Sequence, residues 1–167
     1  VIQLTQKNKD SQETVDIQSV IDDINADMEA QIQKSGTELE VDLHAFKKVT
    51  YSTVQLKSII QNLVSNAIKY RKDDVNPAVK ITAGIKDGWK FLEVKDNGKG
   101  IDLQKYGKKL FGLFQRFDLE AQGKGIGLYT VKQIVEQRGG WIEVQSEPNV
   151  GSVFTVFLHN GVNPISA

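Results

Sequence analysis

The chain has 167 residues, 40% hydrophobic and 25% charged, which is the length and balance of one soluble globular domain. Lys plus Arg equals Asp plus Glu at 21 each, so no net field draws it to nucleic acid or an anionic membrane. Cysteine is absent and histidine occurs only as His44 and His159. That removes disulfides and thiolate chemistry, and leaves a zinc site or a Ser-His-Asp triad poorly supplied.

No apolar run reaches membrane-span length and no signal peptide is visible. The first residue is Val1, and the chain is expected to be a piece of something longer. Residues 1–14 are polar and weakly patterned, reading as a linker or the end of a preceding helix. Val20, Ile21, Ile24, Met28 and Ile32 then recur at helical spacing, with Gly36 just past the end. TELEVDL alternates as a half-buried strand does.

From Ser52 to Arg71, Leu56, Ile59, Ile60, Leu63, Val64, Ala67 and Ile68 define one apolar helix face. AVKITAGIKDGWKFLEVKDNG reads as a hairpin turning near Asp87-Gly88. A Gly-rich turn, the aromatic segment LFGLFQRF and a second Gly-rich turn follow. Leu128 to Arg138 is a helix stopped by Gly139-Gly140, and WIEVQ and SVFTVFL are strands around the turn SEPNVG. Residues 159–167 are expected to fray. The sum is an α+β, two-layer α/β sandwich with a mixed sheet of about five strands and about three helices on one face.

Four stretches carry chemistry. In QNLVSNAIKYR, Asn62, Asn66 and Lys69 fall within roughly 60° of one another on the helix. A solvated polar face would explain that stripe. Yet an amide oxygen also suits Mg²⁺, and a lysine can meet a phosphate. In DNGKGID, Asp96 follows a strand and precedes two glycines. A plain turn is one reading, and a carboxylate accepting from an exocyclic amine is the other.

In GKGIGL, Gly123, Gly125 and Gly127 open a helix, so consecutive N–H groups and the helix N-terminus can cradle an anion. The spacing is neither that of a P-loop nor that of a dinucleotide fingerprint. In LFGLFQRF three phenylalanines suit a core, while Arg116 can reach a terminal phosphate.

In this order the stretches resemble the catalytic, ATP-binding domain of two-component sensor histidine kinases. That family (the Bergerat fold) shares a superfamily with gyrase, heat-shock chaperone and mismatch-repair ATPases. QNLVSNAIKYR matches the N box, DNGKGID the first glycine box, LFGLFQRF the F box and GKGIGL the second glycine box. Gly151-Ser152 matches the third, and the likeness runs from about Val15 to Leu158.

The resemblance implies ATP and Mg²⁺ as cofactors, with Asn66 as metal ligand and Asn62 supporting the metal and phosphate end. Lys69 and Arg116 would contact phosphates, Tyr70 would pack on adenine, and Asp96 would accept from its amino group. Gly98, Gly100 and Ile101 would floor the base pocket, with Ser152 supporting Asp96 through water. Gly123, Lys124, Gly125, Ile126, Gly127 and Leu128 would form the lid hinge and phosphate cradle.

The superfamily's ATPases carry glutamate where Asn62 stands, and an amide cannot serve as a general base. The resemblance thus implies a protein-histidine kinase that retains ATP for transfer, rather than an ATPase switch or a non-catalytic nucleotide sensor. Neither His44 nor His159 has the acceptor's setting. The implied partners are a dimerisation and phosphoacceptor domain of the same protein and a response-regulator receiver domain, with no nucleic acid and no direct membrane contact. The domain itself is expected to be cytoplasmic and monomeric.

Overall fold

The computed structural model describes residues 11–113 and 125–159. Its elements in chain order are β1 (Glu13–Asp16), α1 (Ile17–Asp27), α2 (Glu29–Ser35), β2 (Glu38–Asp42), β3 (Lys48–Tyr51) and α3 (Thr53–Lys69). The hairpin β4 (Ala78–Lys86) and β5 (Trp89–Asp96) follows, then α4 (Leu103–Tyr106) with one 3-10 turn, α5 (Gly127–Gln137), β6 (Trp141–Glu147) and β7 (Gly151–Leu158).

The main sheet has the order β2-β4-β5-β7-β6, parallel only between β2 and β4. Its inner face presents Val79, Ile81, Leu92, Val94, Phe154 and Val156 to the helix layer, all buried. Against them α3 lays the seven apolar residues of its predicted face, and α1 and α5 add Val20, Ile21, Ile24, Val131 and Val135. A fully buried Leu or Ile contributes about 1.5–3 kcal/mol, so this interface dominates the stability.

Local chemistry sets the element ends. Ser52 caps α3, its hydroxyl accepting from the Gln55 N–H at 3.4 Å. Ser52→Ala should lower the unfolding free energy by about 1 kcal/mol, read from the urea midpoint. Gly36 closes α2 in the left-handed region at φ 67°. Asp87 and Gly88 both take positive φ, 51° and 79°, the geometry of a two-residue hairpin turn that follows strand twist.

The structure adds two features to the expected architecture. Residues 13 and 14 open β1, which pairs antiparallel with β3 as a separate two-stranded ribbon (Glu13 opposite Tyr51). Tyr51 is fully buried, and the Arg138 guanidinium lies 4.9 Å from its ring centroid, tying the ribbon to the end of α5. The first helical stretch also breaks at Met28 (φ −106°, ψ 9°), whose side chain is buried in the core.

The outer sheet face holds a satellite cluster. Trp141 stacks on Phe157 at 4.3 Å and Phe91 lies 5.6 Å from Phe157. The Phe91 ring covers Gly84 so closely that a Cβ there would stand 2.1 Å from it.

Candidate functional site

The site is assembled where α3 ends, β5 ends and α5 begins. At the end of β5 the chain turns through Asp96-Asn97-Gly98-Lys99-Gly100. Asn97 fixes the outside of this turn, its Oδ1 accepting from Ala78 N–H at 2.9 Å and its Nδ2 donating to the Asn76 carbonyl at 3.1 Å. The Gly98 N–H donates to Asp96 Oδ1 at 2.8 Å, and the Lys99 N–H donates to the Tyr70 carbonyl at 2.8 Å. The turn therefore sits on Tyr70, the C-cap of the asparagine helix.

Asp96 is half-buried, and burial raises its carboxyl above the ordinary value, while the backbone N–H groups of Gly98 and Ser152 pull it back. A carboxylate so held offers its remaining lone pairs to a donor such as an exocyclic amine. Opposite it, Ser152 is buried, and its hydroxyl lies 2.7 Å from that of Ser146.

On α3, Asn62 and Asn66 are half-buried and Lys69 is exposed. Asn62 Nδ2 donates to the Ser58 carbonyl one turn back at 2.7 Å, which commits its amide nitrogen to the helix. A Cβ at Gly127 would stand 2.9 Å from Asn62 Oδ1 and 3.7 Å from Asn66 Oδ1. Gly127 begins α5, so the missing side chain lets a helix N-terminus close on two amide oxygens. Ile126 and Gly125 precede it half-buried, and Leu128 turns into the core.

The structure thus joins Asn62, Asn66 and Gly127 at one end, and Tyr70, Asp96, Gly98, Ile101 and Ser152 at the other. Arg116, Gly123 and Lys124 lie outside the described residues, as does the second half of the LFGLFQRF segment. A cavity of about 780 Å³ lies across the strand ends and shares Asp96, Ser146 and Ser152 with the base end of the site, its lining continuing over Glu40, Lys80 and Lys95. Asn62 and Asn66 do not line it, and strand alternation points its lysines away from the helix layer.

The arrangement fits an adenine nucleotide: a fixed carboxylate at one end, and a helix N-terminus with neutral amide oxygens at the other. Among the described residues no group of three His, Cys, Asp or Glu side chains stands ready to hold a metal alone, so a cation here would depend on phosphate oxygens and water. Also among the described residues, no helix is long and apolar enough to cross a membrane.

The family model described as histidine kinase-, DNA gyrase B- and HSP90-like ATPase matches residues 51–161, more than half of the chain. The chain belongs to this family. It is 38% identical over 142 residues to the phytochrome-like protein Cph1 of Synechocystis, covering 83% of this chain and 18% of that protein. The sensor histidine kinase YcbM of Bacillus subtilis is 36% identical over 106 residues, which is 62% of this chain and 33% of YcbM.

Among solved structures, the mycobacterial sensor histidine kinase MprB superposes with a TM-score of 0.70 at 28% identity, over 87% of this chain and 97% of that one. The catalytic domain of histidine kinase ThkA shares the fold, with a TM-score of 0.76 at 23% identity over 93% and 99%. The chain is therefore a catalytic, ATP-binding domain of the histidine-kinase type, and it spans a third or less of the relatives named by sequence.

Two features of the site escaped the sequence reading. One is Ser146, placed against Ser152 by strand register. The other is the Tyr70 carbonyl, a backbone group with no sequence signal at all.

Proposed function

We propose that the parent protein is a protein-histidine kinase in which this domain binds ATP with Mg²⁺. The acceptor would be a histidine in a dimerisation domain of the same protein, and onward transfer would go to a receiver-domain aspartate. What carries the reading is the closure of α5 on Asn62 and Asn66 through Gly127, beside an Asp96 already held by two backbone donors.

When bound, the nucleotide supplies the phosphoryl group. The chain's own residues bind and orient it. Asn66 would offer its amide oxygen to the cation, Lys69 and Arg116 would meet phosphates, Tyr70 would pack on the base, and Asp96 would accept from its amine. Asn62 supports a kinase over a hydrolase, because its nitrogen is a donor to Ser58 and its oxygen is too weak a base to deprotonate water. A glutamate there would lose the Ser58 bond.

Calorimetric titration with a non-hydrolysable ATP analogue tests the reading. The wild type should bind tighter with Mg²⁺ than without it. Asn66→Ala should abolish that increment, a loss of about tenfold for one hydrogen-bond-strength contact near charge. If both proteins bind alike, Asn66 is not the ligand. Robust steady-state ATP hydrolysis by this chain alone would favour an ATPase instead.

A further inference from the structure

Ser146 lies near the end of β6, opposite Ser152 in the ladder. Its Oγ accepts the Ile101 N–H at 2.8 Å and donates to the Gly151 carbonyl at 3.0 Å. The Ser152 hydroxyl lies 2.7 Å away. A serine hydroxyl has one proton and two lone pairs, so with these engagements Ser152 donates into the remaining lone pair. Every valence of Ser146 is then filled.

The contacts flanking this one are made by backbone. The Asn149 N–H donates to the Lys99 carbonyl at 2.7 Å, and Gly100 packs against the Glu147 carbonyl. Residues 99, 100 and 101 are thus each fastened to the β6–β7 hairpin, about 45 residues further along the chain. The side-chain link among these three is Ser146. It joins the two segments whose N–H groups hold the Asp96 carboxylate, the turn bearing Gly98 and the strand bearing Ser152.

We propose that Ser146 is a positioning residue of the base pocket, locking the 98–101 turn to β7 so that Asp96 meets the base with both of its backbone donors in place. This rests on the nucleotide reading above. It assigns Ser146 to the base end alone, since Asn62, Asn66 and Gly127 stand on α3 and α5 and make no contact with it among the hydrogen bonds of the site.

The test compares wild type, Ser146→Ala and Ser146→Thr by calorimetric titration with the ATP analogue, ADP and adenosine, alongside urea midpoints. Ser146→Ala should weaken all three ligands by the same factor, about fivefold for one lost neutral hydrogen bond, with the Mg²⁺ increment for the ATP analogue unchanged. Ser146→Thr, which keeps the hydroxyl, should bind within twofold of wild type. A lower urea midpoint with unchanged affinities means a structural role only and overturns the proposal, as does a loss confined to the ATP analogue or an unrescued threonine variant.

Amide hydrogen exchange in the empty protein adds a readout that needs no ligand. In Ser146→Ala the Gly98 amide, which Ser146 does not touch, should exchange about tenfold faster together with that of Ile101, as the turn loosens. A Gly98 amide as protected as in wild type overturns the proposal even if no nucleotide binds. Absence of nucleotide binding by the wild type would itself count against the nucleotide reading and not against the clamp.

Discussion

Asp96→Asn should cut nucleotide affinity by about ten- to a hundredfold, the loss expected when a hydrogen bond to a charged acceptor is removed. Asparagine keeps one oxygen where aspartate has two. If that oxygen stays with the Gly98 N–H, the new NH₂ confronts either the Ser152 N–H or the amine of the base, and a donor then faces a donor.

The same change should alter stability in a pH-dependent way. Burial holds the Asp96 carboxyl above its ordinary value, so through the interval between the unfolded and folded pKa the folded chain binds more protons than the unfolded one. Stability contributed by this group therefore falls as pH rises through that interval, and stays lower above it. Asp16 and Asp42 are shifted downward by hydrogen bonds from Ser19 and His44, and they act in the opposite sense.

The difference between wild type and Asp96→Asn isolates the Asp96 contribution. Urea midpoints at pH 3 and pH 7 should show the variant gaining on the wild type at the higher pH. An unchanged difference would mean that the carboxylate of the empty protein is not penalised by burial. Taken with the affinity loss, the expected pattern is a group that costs the empty fold something and is retained for the ligand.

Much of this was legible in the sequence, for reasons that differ by element. The α3 face was readable because seven apolar residues at helical spacing leave no other solution, and the β4–β5 turn because Asp87-Gly88 meets a demand for two positive φ values. The ribbon of β1 and β3 was not, since four-residue strands are too short for alternation to stand out. The break at Met28 was hidden because the apolar spacing runs through it with no glycine or proline to mark it.

At the site, Asn62, Asp96 and Gly127 had signals of type and spacing. Ser146 had none. A serine before Glu-Pro-Asn is ordinary turn chemistry, and its role exists only through strand register and a contact with Ile101 across the fold. Side chains that act through another segment are set by tertiary geometry, which local pattern does not carry.

Three glycine-to-alanine substitutions should separate two costs that are usually measured together. Gly107 has ordinary helical dihedrals and its nearest neighbour to an added Cβ is 3.8 Å away, so Gly107→Ala should be neutral or stabilise by up to about 1 kcal/mol through the unfolded state. Gly36 has φ 67° with nothing within 4 Å, so Gly36→Ala should cost only the left-handed conformation, about 1 kcal/mol. Gly100 has the same φ of 67°, but its Cβ would lie 2.0 Å from the Glu147 carbonyl oxygen and 2.7 Å from its carbon. Backbone cannot rotate aside as a side-chain end can, so either the 98–101 turn or the β6–β7 hairpin must move. Gly100→Ala should therefore cost about 3 kcal/mol or more, the conformational term plus overpacking. It should also weaken ADP and the ATP analogue alike, because the two segments forced apart carry the Gly98 and Ser152 donors to Asp96. Urea midpoints for the three variants supply the first readout and calorimetry the second. A Gly100→Ala protein no less stable than Gly36→Ala would mean that the contact with Glu147 yields freely, and the hairpin could not then be what holds the base pocket in place.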